Sequence, residues 1–501
     1  MPHMDRDEER AVLESSSSQQ SSSSAVQTLE HGQTSSSPVQ SPRLSDDDLS
    51  KVGVEENFFT DEEDDEIMNE VELKMETTPP RVNVPSAPVK GKQVNSELML
   101  LFYQRLFPFK EVFHWLNHFP APTSAFTNRE IAFTLQNDVY IRYNAFANHD
   151  AMKREVLRLN PSRFEIGPVY SANPRDRKIV RKGAFKPLEK ELVFDIDLTD
   201  YDEIRTCCSG TKICNLCWNF ITVAIKVIDA AMRKDLGFKH IMWVYSGRRG
   251  AHAWVCDKKA RMLDDQKRRA IAGYLEIIKG GAQTTKKVNL KRPLHPMLRR
   301  SLDLLKTSFS TQILSEQDPW STPEGAEKLL RLLPDKVLNQ ELAKKWESSS
   351  QSSASRWADI DLLAQKGVSK SLDTKKLMEA KQDIVLEYLY PRLDAEVSKH
   401  LNHLLKSPFC IHPGTGMVCV PIDSTLLESF DPMTVPTVAQ LIQEIDDWDA
   451  KHDTAEKLAD FEKTSLKPYI EHFHRFVSEL MKEEMKEKRK LEQEEGESLE
   501  F

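Results

Sequence analysis

The sequence predicts an α/β protein (mixed α+β) into which an all-helical subdomain is inserted. Patterns typical of strands and helices alternate between residues 91 and 275, and charged sequence with helical periodicity follows from 276 to 388. Strand patterns return between 389 and 475. The 501 residues are enough for one large or two ordinary domains. We therefore expect mixed β-sheets flanked by helices, with the helical insert between two parts of one domain.

The first ordered elements are expected near Ser96. The stretch "NSELMLLFYQRLFPF" predicts a helix that is capped by Asn95 or Ser96 and ended by Pro108. Two alternating runs, "EIAFTL" and "DVYIRYN", are separated by "QND" and predict a hairpin. A helix at "DAMKREVLRLN" and a strand at "ELVFDIDL" follow.

The later elements follow the same logic. Apolar residues recur at helical spacing from Asn215 to Leu236, and Gly237 is expected to end that helix. "HIMWVYS" and "AHAWVC" predict strands around "GRRG", and "PFCIHP" and "MVCVPID" predict strands after the insert. Residues 454–495 predict a long, charged, exposed helix, and 476–501 form a charged C-terminal helix or tail.

Residues 1–90 are predicted to be a disordered acidic, serine-rich arm, because they offer too little apolar surface to offset the entropy of ordering. The arm could be a solvated tail, or its segment "EENFFTDEEDDEIMNEVELKM" could fold as a helix on a basic groove of a partner. The first 76 residues carry 20 acids and 5 bases, so the net charge of –9 leaves +6 for residues 77–501. That excess permits contact with nucleic acid but is too small to predict tight unaided binding.

Composition excludes several classes of protein. No apolar run reaches about 18 residues, so no membrane span is expected. The N-terminus lacks the basic and apolar regions of a secretory signal, which indicates an intracellular, reducing location. Seven cysteines, four of them within eleven positions, then suggest metal binding rather than disulfides.

The strand "LVFDIDL" places Asp195 and Asp197 on one face, because side chains alternate along a strand. Carboxylates about 6.5–7 Å apart can bridge two hard divalent cations. Two unpaired acids beside a core would cost several kcal/mol without a cation. The alternative is an edge strand with a wetted polar face. A third carboxylate from a distant strand would favour the metal site.

The cysteine cluster "CCSGTKICNLC" predicts a zinc site. Cys214 and Cys217 have the usual C-x2-C spacing, and Ser209-Gly210 could turn Cys207 and Cys208 toward the same metal. Four thiolates would close the coordination sphere, so the role would be structural. Ligation by three cysteines, with the fourth in the core, is the alternative.

The stretch "YSGRRGAHAW" predicts an anion-binding turn. Adjacent guanidinium groups of Arg248 and Arg249 suit phosphate oxygens, and Gly247 and Gly250 let the backbone approach the same anion. The turn matches neither a Walker A loop nor a dinucleotide fingerprint. The alternative is a basic turn paired with surface acids.

With these motifs in order, the chain resembles the small (catalytic) subunit of eukaryotic DNA primase, within the archaeo-eukaryotic primase family. The resemblance covers about residues 95–475 and rests on "EKELVFDIDLTDYD", "WVYSGRRGAHAWVCD", "YPRLDAEVSKHLNHLLKSPF" and "VPID". It identifies 91–275 and 389–475 as the two parts of a primase catalytic domain, with the zinc knuckle at 207–217.

The resemblance also implies roles for individual residues. Asp195, Asp197 and Asp394 are expected to bind Mg²⁺ or Mn²⁺, and Glu130, Asp195 and Asp197 to be catalytic. The expected nucleotide-binding residues are Arg142, Ser246, Gly247, Arg248, Arg249, Gly250, His252, His403, Leu404, Leu405, Lys406 and His412. Taken alone, Glu130 would be interpreted as an exposed acid. Arg163 and Glu165 stand where relatives commonly have Lys and Asp, so altered contacts are expected there.

The expected activity is primer synthesis by nucleotidyl transfer from ribonucleoside triphosphates on a single-stranded DNA template. The expected cofactors are two Mg²⁺ or Mn²⁺ ions and one structural Zn²⁺. The resemblance implies a nuclear protein that pairs with a primase large subunit and assembles with the catalytic and accessory subunits of DNA polymerase alpha. The alternatives are a non-catalytic, zinc-stabilised nucleic-acid-binding subunit and a primase-polymerase that prefers deoxynucleotides.

Overall fold

The computed structural model describes residues 95–278, 287–288, 290–347, 350–452 and 458–499. The predicted arm, 1–90, lies outside these residues. The described α-helices are α1 (Ser96–Arg105), α2 (Phe109–Asn117), α3 (Ser124–Thr127), α4 (His149–Leu159), α5 (Asn215–Lys234), α6 (Lys258–Arg261), α7 (Asp265–Leu275), α8 (Pro296–Ser308), α9 (Pro323–Leu332), α10 (Lys336–Glu347), α11 (Ser353–Gln365), α12 (Thr374–Leu389), α13 (Glu396–Lys399), α14 (Val438–Lys451) and α15 (Lys467–Leu499). The described strands are β1 (Arg129–Thr134), β2 (Tyr140–Asn144), β3 (Arg163–Tyr170), β4 (Pro187–Glu189), β5 (Leu192–Asp197), β6 (Ile241–Tyr245), β7 (Gly250–Val255), β8 (Leu405–Lys406) and β9 (Pro421–Ile422).

The strands form two sheets in which the described pairings are antiparallel. The first sheet has the order β2-β1-β3-β4, and the short strand β8 also pairs with β3. The second has the order β5-β7-β6-β9. Strand β8 comes from sequence beyond the helical insert, so the two parts of the chain complete one sheet. The α/β (mixed α+β) fold class predicted from the sequence is confirmed.

Strand β5 owes its position to its apolar residues. Leu192, Val193, Phe194 and Ile196 are fully buried, whereas the two aspartates are partly exposed. An edge strand with a wetted face was the alternative for this stretch. The strand does lie at the edge of its sheet, yet its apolar residues are in the core and only its carboxyl end reaches solvent.

Helix α5 packs under the second sheet and is the long apolar helix predicted from Asn215, with Gly237 (φ +64°) just beyond its end. By length and composition it could cross a membrane, and it is the one described helix of which this holds. However, 67% of its most apolar 18-residue window is buried inside the protein, as in the core helix of a folded domain. Such a helix is weak evidence for a span.

The described residues between β7 and β8 contain α-helices and one π-helix, Phe309–Gln317. Trp320 belongs to a core that is continuous with the sheets, and Trp357 packs against that core and stacks on Trp320 with ring centres 5.6 Å apart. The π-helix reaches the cysteine cluster, because Gln317 Oε1 accepts a hydrogen bond from Thr206 N at 2.7 Å. The predicted boundaries of the insert, 276–388, stay a prediction.

Local predictions were confirmed at several places. Asn95 caps α1 by accepting from Glu97 N at 2.8 Å, and the hairpin β1–β2 forms as expected. The stretch "PFCIHP" forms only an isolated bridge, between Ile411 and Val418, rather than a full strand.

The prediction of an exposed C-terminal helix from about residue 454 was wrong for the first half of that helix. Helix α15 begins at Lys467, and Phe473, Val477 and Leu480 on its inner face are at most 2% exposed. Phe473 packs against Trp115 and Phe409. The high overall charge of the segment concealed this narrow apolar stripe.

Candidate active site

The carboxylates of β5 lie beside the neighbouring strand β7. In this antiparallel pair Asp195 stands opposite His252 and Asp197 opposite Gly250. His252 Nε2 lies 3.5 Å from Asp195 Oδ1. The strand pairing therefore brings the first acid and the histidine of the arginine turn together, although 57 positions separate them in the sequence.

Asp394 follows the helical insert in the sequence. Its backbone N–H donates to the Asp195 carbonyl oxygen at 3.2 Å, which makes an isolated antiparallel bridge at the open edge of β5. Its own carboxylate caps the next turn by accepting from Glu396 N at 3.1 Å. The residue that bears the third predicted carboxylate, Asp394, is thus adjacent to Asp195.

The gathered acids repel one another. Burial, together with the nearby charges of Asp197 and Asp394, raises the pKa of Asp195 to about 7. A fourth acid, Asp200, has a pKa raised to about 6 by burial and by the same three carboxylates. Asp200 was not among the predicted residues, although its place three residues after Asp197 was a signal for it. Such an excess of negative charge is the electrostatic setting in which a bound cation is stabilising.

The glycines of the turn are required by close packing. A side chain at Gly250 would place its Cβ 2.2 Å from the Ile196 carbonyl oxygen. Gly247 has φ +85°, and a Cβ there would lie 2.7 Å from the Cβ of His412. Gly250 N also donates to Ser246 Oγ at 3.0 Å. These contacts hold the turn between β5 and the loop that carries His412.

Arg249 does not point freely into solvent. Its Nε lies 2.7 Å from both carboxylate oxygens of Asp197. Asp197 Oδ1 also accepts from the backbone N and the hydroxyl of Thr199, each at 2.8 Å. The second acid is therefore neutralised by an arginine in this state. A bound cation would have to compete with that ion pair.

A cleft of about 290 Å³ opens between the two sheets, and both acidic and basic side chains line it. Its lining contains ten of the predicted residues, namely Asp195, Asp197, Ser246, Arg248, Arg249, His252, Leu404, Leu405, Lys406 and His412. Arg163 and Glu165 of β3 also line it, although they were not predicted as site residues. The pairing of Glu165 with Lys406 brings them there, and that pairing leaves no signal in the sequence.

Lys406 is anchored, because its Nζ donates to the Ser246 carbonyl oxygen at 2.6 Å. Lys190 holds the loop that precedes Lys406. It is fully buried and donates to the His403 carbonyl oxygen. Burial, followed by the charge of Arg268, lowers the pKa of Lys190 to about 7. His403 itself is outside the cleft lining but adjoins it in sequence.

Both histidines of the cleft are neutral at pH 7. Burial and the charge of Lys406 lower the pKa of His252 to about 3. Burial, Lys406 and the arginines lower the pKa of His412 to about 3 as well. His252 stays a predicted nucleotide-binding residue, and as a neutral imidazole it is a hydrogen-bonding group rather than a cation. The positive charge of the cleft comes from the arginines and Lys406.

Glu130 and Arg142 lie outside the cleft lining, in a cluster on the first sheet. Glu130 is fully buried, so its interpretation as an exposed acid was wrong. Its carboxylate accepts from Arg142 Nε at 3.0 Å, from Tyr143 N at 3.1 Å and from Tyr170 Oη at 3.1 Å. Gly167 packs against its side chain, where a Cβ would approach Glu130 Cβ to 3.0 Å. The structure thus gives Glu130 an organising position, whatever its part in chemistry.

The Glu130→Gln variant should lower the free energy of unfolding by about 1–3 kcal/mol, because it leaves the guanidinium of Arg142 without its buried counter-charge. Guanidinium chloride unfolding measures this loss. The matched control is Glu341→Gln, which removes an exposed partner of Lys344 and should change stability by less than about 0.5 kcal/mol. Equal stability of the Glu130→Gln variant and the wild type would contradict the buried-pair account.

The cysteine cluster forms a separate site at the start of α5. The sulfur atoms of Cys207, Cys208, Cys214 and Cys217 all lie within 4.8 Å of one another. The Sγ atoms of Cys214 and Cys217 are 3.9 Å apart, close to the separation expected for two thiolates on one tetrahedral zinc. Gly210, at φ +58°, makes the turn that was predicted between the two pairs. The four donors fit a structural zinc ion.

Among the described residues, this is the one group of three or more Cys, His, Asp or Glu whose ligand atoms come that close. The carboxylates of the cleft are more widely spaced, and one of them is occupied by Arg249. Their oxygen donors are nevertheless of the type that Mg²⁺ and Mn²⁺ prefer, and the mutual repulsion at Asp195 fits a cation site.

The chain is similar to known proteins over most of its length. A family model described as "DNA primase small subunit" matches residues 194–424, from β5 to just beyond β9. A DNA primase small subunit of Schizosaccharomyces pombe is 54% identical over 435 residues, which is 82% of this chain and 94% of the relative. That of Saccharomyces cerevisiae is 46% identical, over 79% of this chain and 95% of the relative. That of Drosophila melanogaster is 38% identical, over 82% and 98%.

Proposed function

Because the chain belongs to the DNA primase small subunit family, we propose that it synthesises short RNA primers on single-stranded DNA by nucleotidyl transfer. The observation that carries the proposal is the cleft, in which Asp195 and Asp197 face Arg248, Arg249 and Lys406. The carboxylates suit divalent cations, and the guanidinium and ammonium groups beside them suit a triphosphate. Nucleotidyl transfer needs both in one place.

Asp195, Asp197 and Asp394 would hold the two divalent ions. The donor set fits, because these are hard oxygen ligands whose negative charge is uncompensated at Asp195. When bound, the ions supply activation of the attacking 3′-hydroxyl and neutralisation of the triphosphate and the departing pyrophosphate.

The protein's own residues bind and orient the nucleotide. Arg248 and Lys406 offer cationic donors to the phosphate oxygens, and Arg249 can join them once Asp197 is engaged elsewhere. Neutral His252 donates or accepts a hydrogen bond beside Asp195. The fixed backbone around Gly247 and Gly250 keeps these donors in place before the substrate arrives, which reduces reorganisation during the reaction.

Arg249→Gln should raise the KM for ribonucleoside triphosphates by about tenfold or more, because a charged donor to phosphate is lost. Steady-state synthesis at varied nucleotide concentration measures it. Arg299→Gln, which removes an exposed arginine of α8, is the control and should leave KM unchanged. A wild-type KM for the Arg249→Gln variant would exclude this residue from the triphosphate site.

The metal sites can be tested without activity. Mg²⁺ at about 5 mM should raise the Tm of the wild type by a few degrees relative to EDTA, because it binds the folded state and relieves carboxylate repulsion.

In EDTA, Asp195→Asn should be more stable than the wild type. The raised folded-state pKa of Asp195 makes the wild type lose stability as pH rises from about 4 to about 7, so this advantage should grow across that window. Identical Tm values in EDTA and Mg²⁺ would contradict the cation site.

We further propose that a primase large subunit pairs with this chain, as the word "subunit" in the names of its relatives suggests. Assembly with DNA polymerase alpha and a nuclear location are part of the same proposal. The mild net charge of residues 77–501 agrees with a partner that helps to bind template.

The deciding experiment is incorporation of labelled nucleotide on a poly-pyrimidine single-stranded template, with and without a co-purified large subunit. Ribonucleotide incorporation that requires Mg²⁺ or Mn²⁺ is the expected result. A preference for deoxynucleotides would replace the proposal by a primase-polymerase. No metal-dependent incorporation under either condition would leave a binding subunit.

A further inference from the structure

The positive charge of residues 77–501 is concentrated in one loop between β3 and β4. We call residues 171–186 the basic loop. Its segment 175–186, "RDRKIVRKGAFK", has six basic residues and one acidic residue, a net charge of +5, whereas all of 77–501 carries only +6. The rest of this part of the chain is therefore almost balanced. The sequence average concealed a strongly basic feature.

The basic loop is a built structure with pinned ends. Ser171 N donates to the Lys186 carbonyl oxygen at 2.9 Å, and Lys186 N donates to Ser171 Oγ at 3.0 Å. Asn173 ties the loop to the preceding fold by donating from Nδ2 to the Thr127 carbonyl oxygen at 3.1 Å. Within it, Val180 N donates to the Asp176 carbonyl oxygen at 3.0 Å. The basic residues are thus displayed on a defined scaffold.

Aromatic rings lie alongside these charges. Phe185 stacks on Tyr170 with ring centres 4.2 Å apart and planes 6° from parallel. Tyr143 lies 6.4 Å from Phe185, and the guanidinium of Arg177 sits 4.2 Å from the Tyr143 ring centre. Tyr143 and Phe185 are both partly exposed. Ile179, near the middle of the loop, is 85% exposed.

This surface is connected to the cleft through strand β3. The backbone N–H of Tyr143 and the hydroxyl of Tyr170 both donate to the buried Glu130 carboxylate, which fixes the aromatic rings in place. Tyr170 ends β3, and the same strand begins with Arg163 and Glu165, which line the cleft. The basic loop and the catalytic cleft are therefore at opposite ends of one strand.

We propose that the basic loop, together with Tyr143 and Phe185, is a binding surface for the single-stranded template outside the cleft. Proteins hold single strands with a cationic track for phosphates and aromatic rings for bases, and this surface has both. An acidic protein partner would pair chiefly with the cations, whereas a single strand engages the cations with its phosphates and the rings with its bases. The inference rests on the proposed primase function, because it names where that function's template is held.

The test uses the full chain and a fluorescein-labelled oligothymidylate of about 16 nucleotides, without nucleotide or metal, in fluorescence anisotropy over a series of salt concentrations. The variant combines Arg175→Ser, Arg181→Ser and Lys186→Ser, three exposed positions of the basic loop. Its affinity should fall about tenfold or more at low salt. The slope of log affinity against log salt should fall by about 2, since each lost phosphate contact removes about 0.7.

The matched control removes the same charge elsewhere, through Arg299→Ser, Lys328→Ser and Lys375→Ser at exposed helical positions. It should leave affinity and salt slope within about twofold of wild type. Phe185→Leu keeps every charge and should still weaken oligonucleotide binding about fivefold or more. Phe185→Leu should not change the affinity of the protein for an oligoglutamate peptide, which is measured by competition.

Wild-type affinity and salt slope in the triple variant would overturn the proposal. Loss of oligoglutamate binding without loss of oligonucleotide binding would also overturn it, and would identify the loop as a site for an acidic protein. These readouts need no turnover. A failure of the proposed primase activity, seen as absent incorporation by the wild type, is therefore distinguishable from a failure of this inference.

Discussion

Replacing Asp195 with alanine should abolish dinucleotide synthesis, a loss of about 10³-fold or more, while the protein keeps its fold. The residue combines a position at the open edge of β5, a direct backbone contact from Asp394 and a carboxylate whose pKa is raised to about 7 by its neighbours. Removing it would take away one ligand of the proposed metal site, which would supply several kcal/mol of transition-state stabilisation. Incorporation of labelled ribonucleotide measures the loss, and circular dichroism measures the fold.

The matched control is Asp303→Ala, which removes an exposed acid of α8 whose carboxylate lies 2.8 Å from Lys306 Nζ. It should retain wild-type synthesis. Undiminished synthesis by Asp195→Ala would remove the metal-site assignment altogether. A variant that loses both synthesis and secondary structure would require Asp195→Asn instead, since the amide has the same shape.

Replacing Cys214 with serine should abolish zinc binding and lower the free energy of unfolding by about 3 kcal/mol or more, because a closed four-thiolate site contributes directly to folding. The cluster joins three elements: it precedes α5, it follows β5, and Cys207 receives a hydrogen bond from Gln317 of the π-helix at 3.4 Å. Its loss should therefore loosen the helical insert as well as the knuckle. Metal analysis should find about one zinc per chain in the wild type and none in the variant.

Cys256→Ser controls for the chemistry of the substitution. Cys256 is buried in the core, where its sulfur accepts from Trp115 Nε1 at 3.2 Å, and it lies outside the cluster. This variant should keep its zinc even if it loses some stability. Full zinc occupancy in Cys214→Ser would show that three cysteines suffice, which was the alternative left open by the sequence.

Local sequence patterns predicted many of the residues of the site. Alternation in "LVFDIDL" gave the shared face of Asp195 and Asp197, and the spacing of the cysteines gave the zinc cluster, because both depend on residues a few positions apart. The interpretation of Asp195 and Asp197 as a metal site depended on Asp394, which is about 200 positions away in the sequence. No periodicity reports such a contact, and only the resemblance to a family suggested it.

Long-range packing decided the remaining features. Glu130 is a charged residue in a short strand, and nothing nearby indicated that Tyr143, Tyr170 and Arg142 would enclose it. Arg249 is expected to bind phosphate, and in the structure it pairs with Asp197. Helix α15 looked solvated because its apolar stripe is narrow and its charges are many.

Sequence alone was enough to predict the fold class, the elements around the site, the cysteine cluster and the residue types of the cleft, since each depends on short-range periodicity or spacing. Which charges meet depends on the folded structure. It brought β8 onto β3, so that Lys406, Arg163 and Glu165 share one cleft, and it left the basic loop at the far end of that strand. Electrostatic energy depends on distances through space, and chain positions do not specify those distances until the sheets have formed.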